Sequence, residues 1–144
     1  RDRHRGPILA VAGGSGLAPI KSIVEEALHQ GLPQPIHLYL GVRAERDLYL
    51  VDHFRALAAR HETLTFTPVL SEPAGPTTLR TGYVGEVAVA DHPDIDGWKA
   101  YMAGPPVMVE TTTALLKARG LASTDIHADA FYTEEEKGML EAAS

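Results

Sequence analysis

Three of the four residues in Gly13-Gly14-Ser15-Gly16 are glycine, and Pro19 follows closely. Glycine permits positive φ and lets a phosphate approach with no Cβ in the way. Between a strand and a helix, such a turn aims backbone N–H groups and the positive end of a helix dipole at an anion. Pro19 suits the first turn of that helix, where its missing N–H costs nothing. The same residues also suit a tight βα turn that binds nothing, so spacing has to discriminate. The dinucleotide pattern G-x-G-x-x-G fits Gly14 and Gly16 but meets Pro19 at its last glycine. It also expects an acid at the end of the second strand, where Gly41-Val42-Arg43 stands and the first carboxylate is Glu45. A phosphate loop fails because Lys21-Ser22 follows Ile20 instead of glycine. A hydrolase elbow G-x-S-x-G fits Gly13 and Ser15 but has Leu17 at its second glycine, with His127 and Asp129 as the one pair to complete it.

A second turn repeats the logic. Tyr101-Met102-Ala103-Gly104-Pro105-Pro106-Val107-Met108 reads as a strand ending in a small residue, a glycine, and a helix opened by proline. Two such turns on adjacent strands make the crevice at a topological switch point, where open α/β sheets bind ligands.

The elements that must carry these turns alternate. Pro7 to Ala12, Pro35 to Val42, Leu64 to Leu70, Trp98 to Ala103 and Asp125 to Phe131 read as strands, the first an unbroken apolar run typical of a buried parallel strand. Pro19 to Gln30, Asp47 to His61 and Pro106 to Arg119 carry apolar residues at helical spacing, with Gly31 and Gly120 as stops. A shorter helix is expected around Val84 to Asp91, after a Pro, Gly and Thr-rich loop over 71–82. The expected fold is α/β: a three-layer, doubly wound, five-stranded parallel sheet of order 3-2-1-4-5.

With 144 residues, 44% hydrophobic and 22% charged, the chain has the composition of one soluble globular domain. No apolar run approaches the roughly 20 residues that cross a bilayer, and the charged start does not lead into a signal peptide. A net charge of −6 argues against a nucleic-acid surface. With no cysteine there is no disulfide, thiolate nucleophile or cysteine-ligated iron-sulfur cluster; no metal site is expected, and residence in the cytoplasm is. Residues 1–6 carry three arginines and read as a linker from an upstream domain, and Thr133 with Glu136 gives the tail over 133–144 a capping-box pattern.

Taken together, these motifs resemble the nicotinamide-nucleotide domain of the ferredoxin–NADP reductase superfamily. The matching residues are Ala12 to Pro19, Gly41-Val42-Arg43 with Asp47-Leu48-Tyr49, Val69-Leu70-Ser71, Thr81-Gly82-Tyr83-Val84 and Ala103 to Met108, all in the family's order. The closing Ile126 to Tyr132 is most similar to the reductase components of bacterial ring-hydroxylating dioxygenases, of the naphthalene dioxygenase type, and to deoxyglucoseen reductases.

The resemblance implies an oxidoreductase domain over 7–132 that presents NADH, or NADPH as second candidate, to FAD. The FAD would be held by a β-barrel domain upstream, and electrons would pass to a ferredoxin, iron-sulfur or oxygenase partner; this fragment alone would be inactive. It implies that Gly13, Gly14, Ser15 and Gly16, with Pro19, line the pyrophosphate and nicotinamide side. Ala103, Gly104, Pro105 and Pro106 would border the nicotinamide, Ser15 and Ala103 positioning it, with Met108 in support. Many relatives carry cysteine where Ala103 stands, so one ring contact is missing. Arg43 and Ser71 would meet the adenosine ribose, and Phe131 and Tyr132 would cover the flavin. Other readings stay open: Arg43 as a solvated cation, Tyr49, Tyr83 and Met108 as core, and Phe131 as packing on the sheet edge. Arg80 and Arg43 are candidates for a 2′-phosphate, whereas Glu72 would repel one, which favours NADH. A non-catalytic nucleotide-sensing module with the same cleft is the alternative function.

Overall fold

Ile8 to Ala12 contains no polar side chain, so both faces of that strand need a covering layer. The computed structural model, which describes residues 6–13, 17–31, 33–42, 49–71 and 80–130, supplies one on each side. Along β1 (Ile8–Gly13), Ile8, Ala10 and Ala12 join one core with Ile20 and Val24 of α1 (Leu17–His29) and Phe54 and Leu57 of α2 (Tyr49–Arg60). Leu9 and Val11 face the other way, onto α3 (Val84–Asp91) and α4 (Pro106–Ala118). The two-residue period of a strand thus divides one apolar run between two cores. Each fully buried Leu, Ile or Val stabilises the fold by roughly 1.5–3 kcal/mol.

The remaining strands are β2 (Ile36–Val42), β3 (Leu64–Leu70), β4 (Arg80–Thr81), β5 (Lys99–Gly104) and β6 (Ile126–Ala130). All pairings are parallel, in the order β4-β3-β2-β1-β5-β6. Among the described residues the sheet therefore has six strands, not the expected five. The extra one is β4, two residues inside the stretch read as a loop, where Arg80 and Thr81 pair with Val69 and Leu70. Two residues are too few to show a period, and the pairing partner decides the conformation. The five longer strands keep the expected relative order.

Helix ends follow local chemistry. α1 begins at Leu17, with Pro19 inside its first turn, and Gly31 beyond its end takes φ 68°. α4 opens on Pro106 and closes with Leu121 N–H donating to the Leu116 carbonyl at 3.1 Å, across Gly120 at φ 95°. A one-turn 3-10 helix at Ser123–Asp125, absent from the sequence expectations, leads into β6. Where α3 crosses α4, Gly85 lies so close to the Thr112 hydroxyl that a Cβ there would overlap it. The expected linker over 1–5 and the capping box at Thr133 and Glu136 lie outside the described residues.

Candidate functional site

β1 and β5 are neighbours, with Ala12 opposite Ala103, so both glycine turns leave the sheet at the same edge. There the backbones meet closely. A Cβ on Gly13 would sit 2.6 Å from Met108 Sδ, and one on Gly104 would sit 2.7 Å from Met108 Cε and 3.1 Å from the Gly13 carbonyl oxygen. Only glycine fits at either position while Met108 fills the gap between them.

Two hollows flank this meeting point, one for each face of the sheet. The first, about 430 Å³, lies on the α3 and α4 side, and its lining includes Gly13, Ser71, Tyr83, Pro105, Val107 and Met108. The second, about 420 Å³, lies on the α1 side and is lined by Pro19, Ile20, Ile23, Tyr101, Ala103 and His127 among others. Each has the size of a small-ligand pocket. The site residues expected from sequence are therefore divided: Gly13, Ser71, Pro105 and Met108 fall in the first hollow, Pro19 and Ala103 in the second. Ala103 is only 1% exposed, so its methyl packs into the α1-side core and its backbone is what borders the edge. Gly104 is buried on the ridge between the hollows, and Pro106 opens α4 beside it. Gly14, Ser15, Gly16, Arg43, Phe131 and Tyr132 lie outside the described residues, as do Glu45 and Glu72.

Tyr83, for which a core position was one reading of the sequence, is instead 72% exposed at the rim of the first hollow, and Val107, which had no role from sequence, stands beside it at 74%. They are the large apolar side chains most open to water among the described residues. The available signal was position: Val107 follows the double proline, and Tyr83 directly precedes α3.

The titratable groups cluster elsewhere, toward the opposite end of α3. Arg80 donates two parallel hydrogen bonds to Asp91, at 3.0 and 2.8 Å, and the Tyr39 hydroxyl donates to the same carboxylate at 2.6 Å. The Arg80 hydrogen bond holds the Asp91 carboxyl below its ordinary value. Burial, then the hydrogen bond to Asp91, pushes the Tyr39 phenol above its own. Asp91 ends α3 whereas Val84, which begins it, lines the hollow. Eight residues of helix span roughly 10 Å, so Asp91, which holds the Arg80 guanidinium, stands about that far along α3 from Val84. Among the described residues neither hollow is lined by a paired acid and base, and His127 stacks its ring on Tyr101 with centroids 4.8 Å apart. The arrangement can bind and orient flat rings joined by an anionic bridge, and the described residues form no proton relay there.

Comparison with known proteins gives the same direction. The pattern of the family described as "Oxidoreductase NAD-binding domain" matches residues 10–114. The chain is 47% identical over 133 residues to a Ralstonia protein, the ferredoxin--NAD(P)(+) reductase component of naphthalene 1,2-dioxygenase/salicylate 5-hydroxylase systems, covering 92% of this chain and 40% of that protein. It is 42% identical over 132 residues to the corresponding component of the Pseudomonas putida naphthalene 1,2-dioxygenase system, again 92% of this chain and 40% of the relative. Among solved structures, the Amycolatopsis cytochrome P450 reductase GcoB superposes with a TM-score of 0.80 at 36% identity, over 88% of this chain and 38% of that one. The chain thus spans about 40% of the length of the curated relatives it matches.

Proposed function

This chain belongs to the oxidoreductase NAD-binding domain family, and from that premise we propose that it is the nicotinamide-nucleotide part of a flavoprotein reductase. In this reading the nucleotide lies across the carboxyl edge of the sheet. Its pyrophosphate passes over Gly13 and Gly104, and one ring occupies each hollow. The observation that carries the reading is the pair of hollows on either side of two glycines against which Met108 packs too closely for a Cβ in its present position. A dinucleotide is two flat ring systems joined by a compact dianion, and the edge has that shape.

The nicotinamide belongs on the α1 side, against Pro19 and the backbone of Ala103, and the adenosine on the side of Ser71 and Tyr83. When bound, the nicotinamide supplies hydride chemistry and the flavin accepts it. The chain's own work is to hold, orient and dry the rings. Val84, Pro105 and Val107 give the α3-side hollow a mostly apolar wall, and Ile20 and Ile23 add apolar surface to the more polar hollow on the α1 side. No residue has to move a proton. In this reading a separate β-barrel domain holds the FAD, and electrons continue to a ferredoxin or oxygenase component, in keeping with relatives that are ferredoxin--NAD(P)(+) reductase components of dioxygenase systems. We place the domain over residues 7–132, between a linker and a short tail, in the cytoplasm. No helix among the described residues is long and apolar enough to cross a membrane.

NADH is the expected nucleotide. A 2′-phosphate needs a free cation beside the ribose; of the two candidates Arg80 is paired with Asp91 through two hydrogen bonds, Arg43 lies outside the described residues, and Glu72, which follows Ser71 in the sequence, would repel the phosphate. Titrating both nucleotides against the chain, followed by calorimetry, tests this: NADH should bind the tighter. Tighter binding of NADPH overturns the choice of nucleotide, and binding of neither overturns the function.

A further inference from the structure

We propose that Met108 is an oxidation site of the cleft, and that conversion of its thioether to the sulfoxide by hydrogen peroxide weakens nucleotide binding. This rests on the nucleotide reading above.

The sequence holds three methionines, Met102, Met108 and Met139, and the third lies outside the described residues. The other two differ sharply in setting. Met102 is 2% exposed, sealed into the core beneath α4, and its sulfur accepts a hydrogen bond from Thr113 Oγ1 at 3.7 Å. Met108 is part-buried and lines the α3-side hollow. Its sulfur occupies the place where the two strand ends converge: a Cβ would lie 2.6 Å from it at Gly13 and 2.9 Å from it at Gly104. Backbone therefore closes one side of the thioether, and the hollow is the route by which peroxide reaches the other.

The step balances without a further reactant. A sulfur lone pair attacks one peroxide oxygen, the O–O bond breaks, an S–O bond forms, and the second oxygen leaves as water with both protons. Sulfur is oxidised by two electrons and the peroxide is reduced by two. The product replaces a flexible apolar side chain with a polar, chiral one. Toward the glycines there is no room for another atom, so the new oxygen enters the hollow or pushes the strand ends apart. In the hollow it carries partial negative charge beside the ridge where the pyrophosphate crosses. Met102, buried on β5 beneath α4, serves as an internal control that should resist the reagent.

The experiment treats the full 144-residue chain with hydrogen peroxide, maps oxygen gain by peptide mass, and measures NADH affinity by calorimetry. Met108 should gain one oxygen before Met102 does. NADH affinity should fall about tenfold or more, equivalent to about 1.4 kcal/mol, and methionine sulfoxide reductase with a thiol should restore both mass and affinity. Met108→Leu, whatever its starting affinity, should show the same affinity before and after peroxide. The inference is overturned if Met102 oxidises first, if Met108 is converted with affinity unchanged, or if the Leu variant loses affinity equally. An untreated chain that binds no pyridine nucleotide overturns the functional reading itself, and this inference with it.

Discussion

Tyr83 stands at the N-cap of α3 with extended backbone, φ −89° and ψ 127°, and offers no side-chain cap. Its ring is 72% exposed at the rim of the α3-side hollow. An aromatic face left in water beside a ring-sized hollow is suited to stack a base, which alanine substitutions value at about 1–3 kcal/mol. Tyr83→Ala should therefore weaken NADH binding by roughly tenfold or more while leaving the thermal midpoint of the free chain nearly unmoved, since so little of the ring is buried. Calorimetry paired with a melting curve reads both, and unchanged affinity would place the base elsewhere. At this scale the sequence was informative wherever backbone geometry restricts residue type. Gly13, Gly104, Pro105 and Met108 are marked by glycine, proline and spacing, because a close approach tolerates little else. Tyr83 and Val107 were not legible as site residues, since exposure is a property of the folded surface and local pattern does not show it. The charge of Arg80 was visible, but its partner Asp91, eleven residues away, became a neighbour only through β4 and α3.

Secondary-structure elements were easier to read than their junctions. The long strands and α1, α2 and α4 announce themselves by period, whereas β4 exists only because β3 offers an edge to Arg80 and Thr81. A second junction carries a pH dependence. Where β2 passes the end of α3, His37, His92 and Trp98 form a three-ring cluster, with His37 and His92 centroids 4.6 Å apart and His37 stacked on Trp98 at 5.2 Å. Tyr39 of β2, Asp91 of α3 and Arg80 of β4 face the same cluster. Burial, then the charge of His92, lowers the pKa of His37; burial lowers that of His92, partly opposed by Asp91. A depressed histidine pKa means that the unfolded chain takes up protons first as pH falls below about 6.5. Stability from these two rings is thus fully present above that pH and lost below it. The urea midpoint should be lower at pH 5.5 than at pH 7.5, in a range too high for ordinary carboxylates to contribute. His37→Phe, which keeps a ring for Trp98, should flatten the difference; an equal slope in that variant would refute the assignment.

At the scale of the whole molecule, both broad faces of the sheet are covered by helices, and the functional features collect at one edge. Among the described residues that edge has two hollows and no acid–base pair, an arrangement in keeping with the proposed role of holding a cofactor that does the chemistry. The sequence could indicate this division of labour, because motifs for nucleotide binding occur without motifs for proton transfer. It could not indicate that the expected contacts lie on two sides of the sheet, since that follows from the alternation of side chains at the ends of β1 and β5. The chain's length, about 40% of its relatives', agrees with a division between a nucleotide part and a flavin part. Binding and turnover should accordingly separate. The chain alone should bind NADH yet reduce a one-electron acceptor such as ferricyanide at a rate roughly a hundredfold or more below that of the same sequence joined to a flavin-loaded β-barrel domain, because hydride transfer requires the two rings to be held in contact. Steady-state assays of the two proteins at matched NADH, with free FAD added to the first, make the comparison. Comparable rates would mean that residues of this chain hold a flavin unaided, and the two-domain reading would fall.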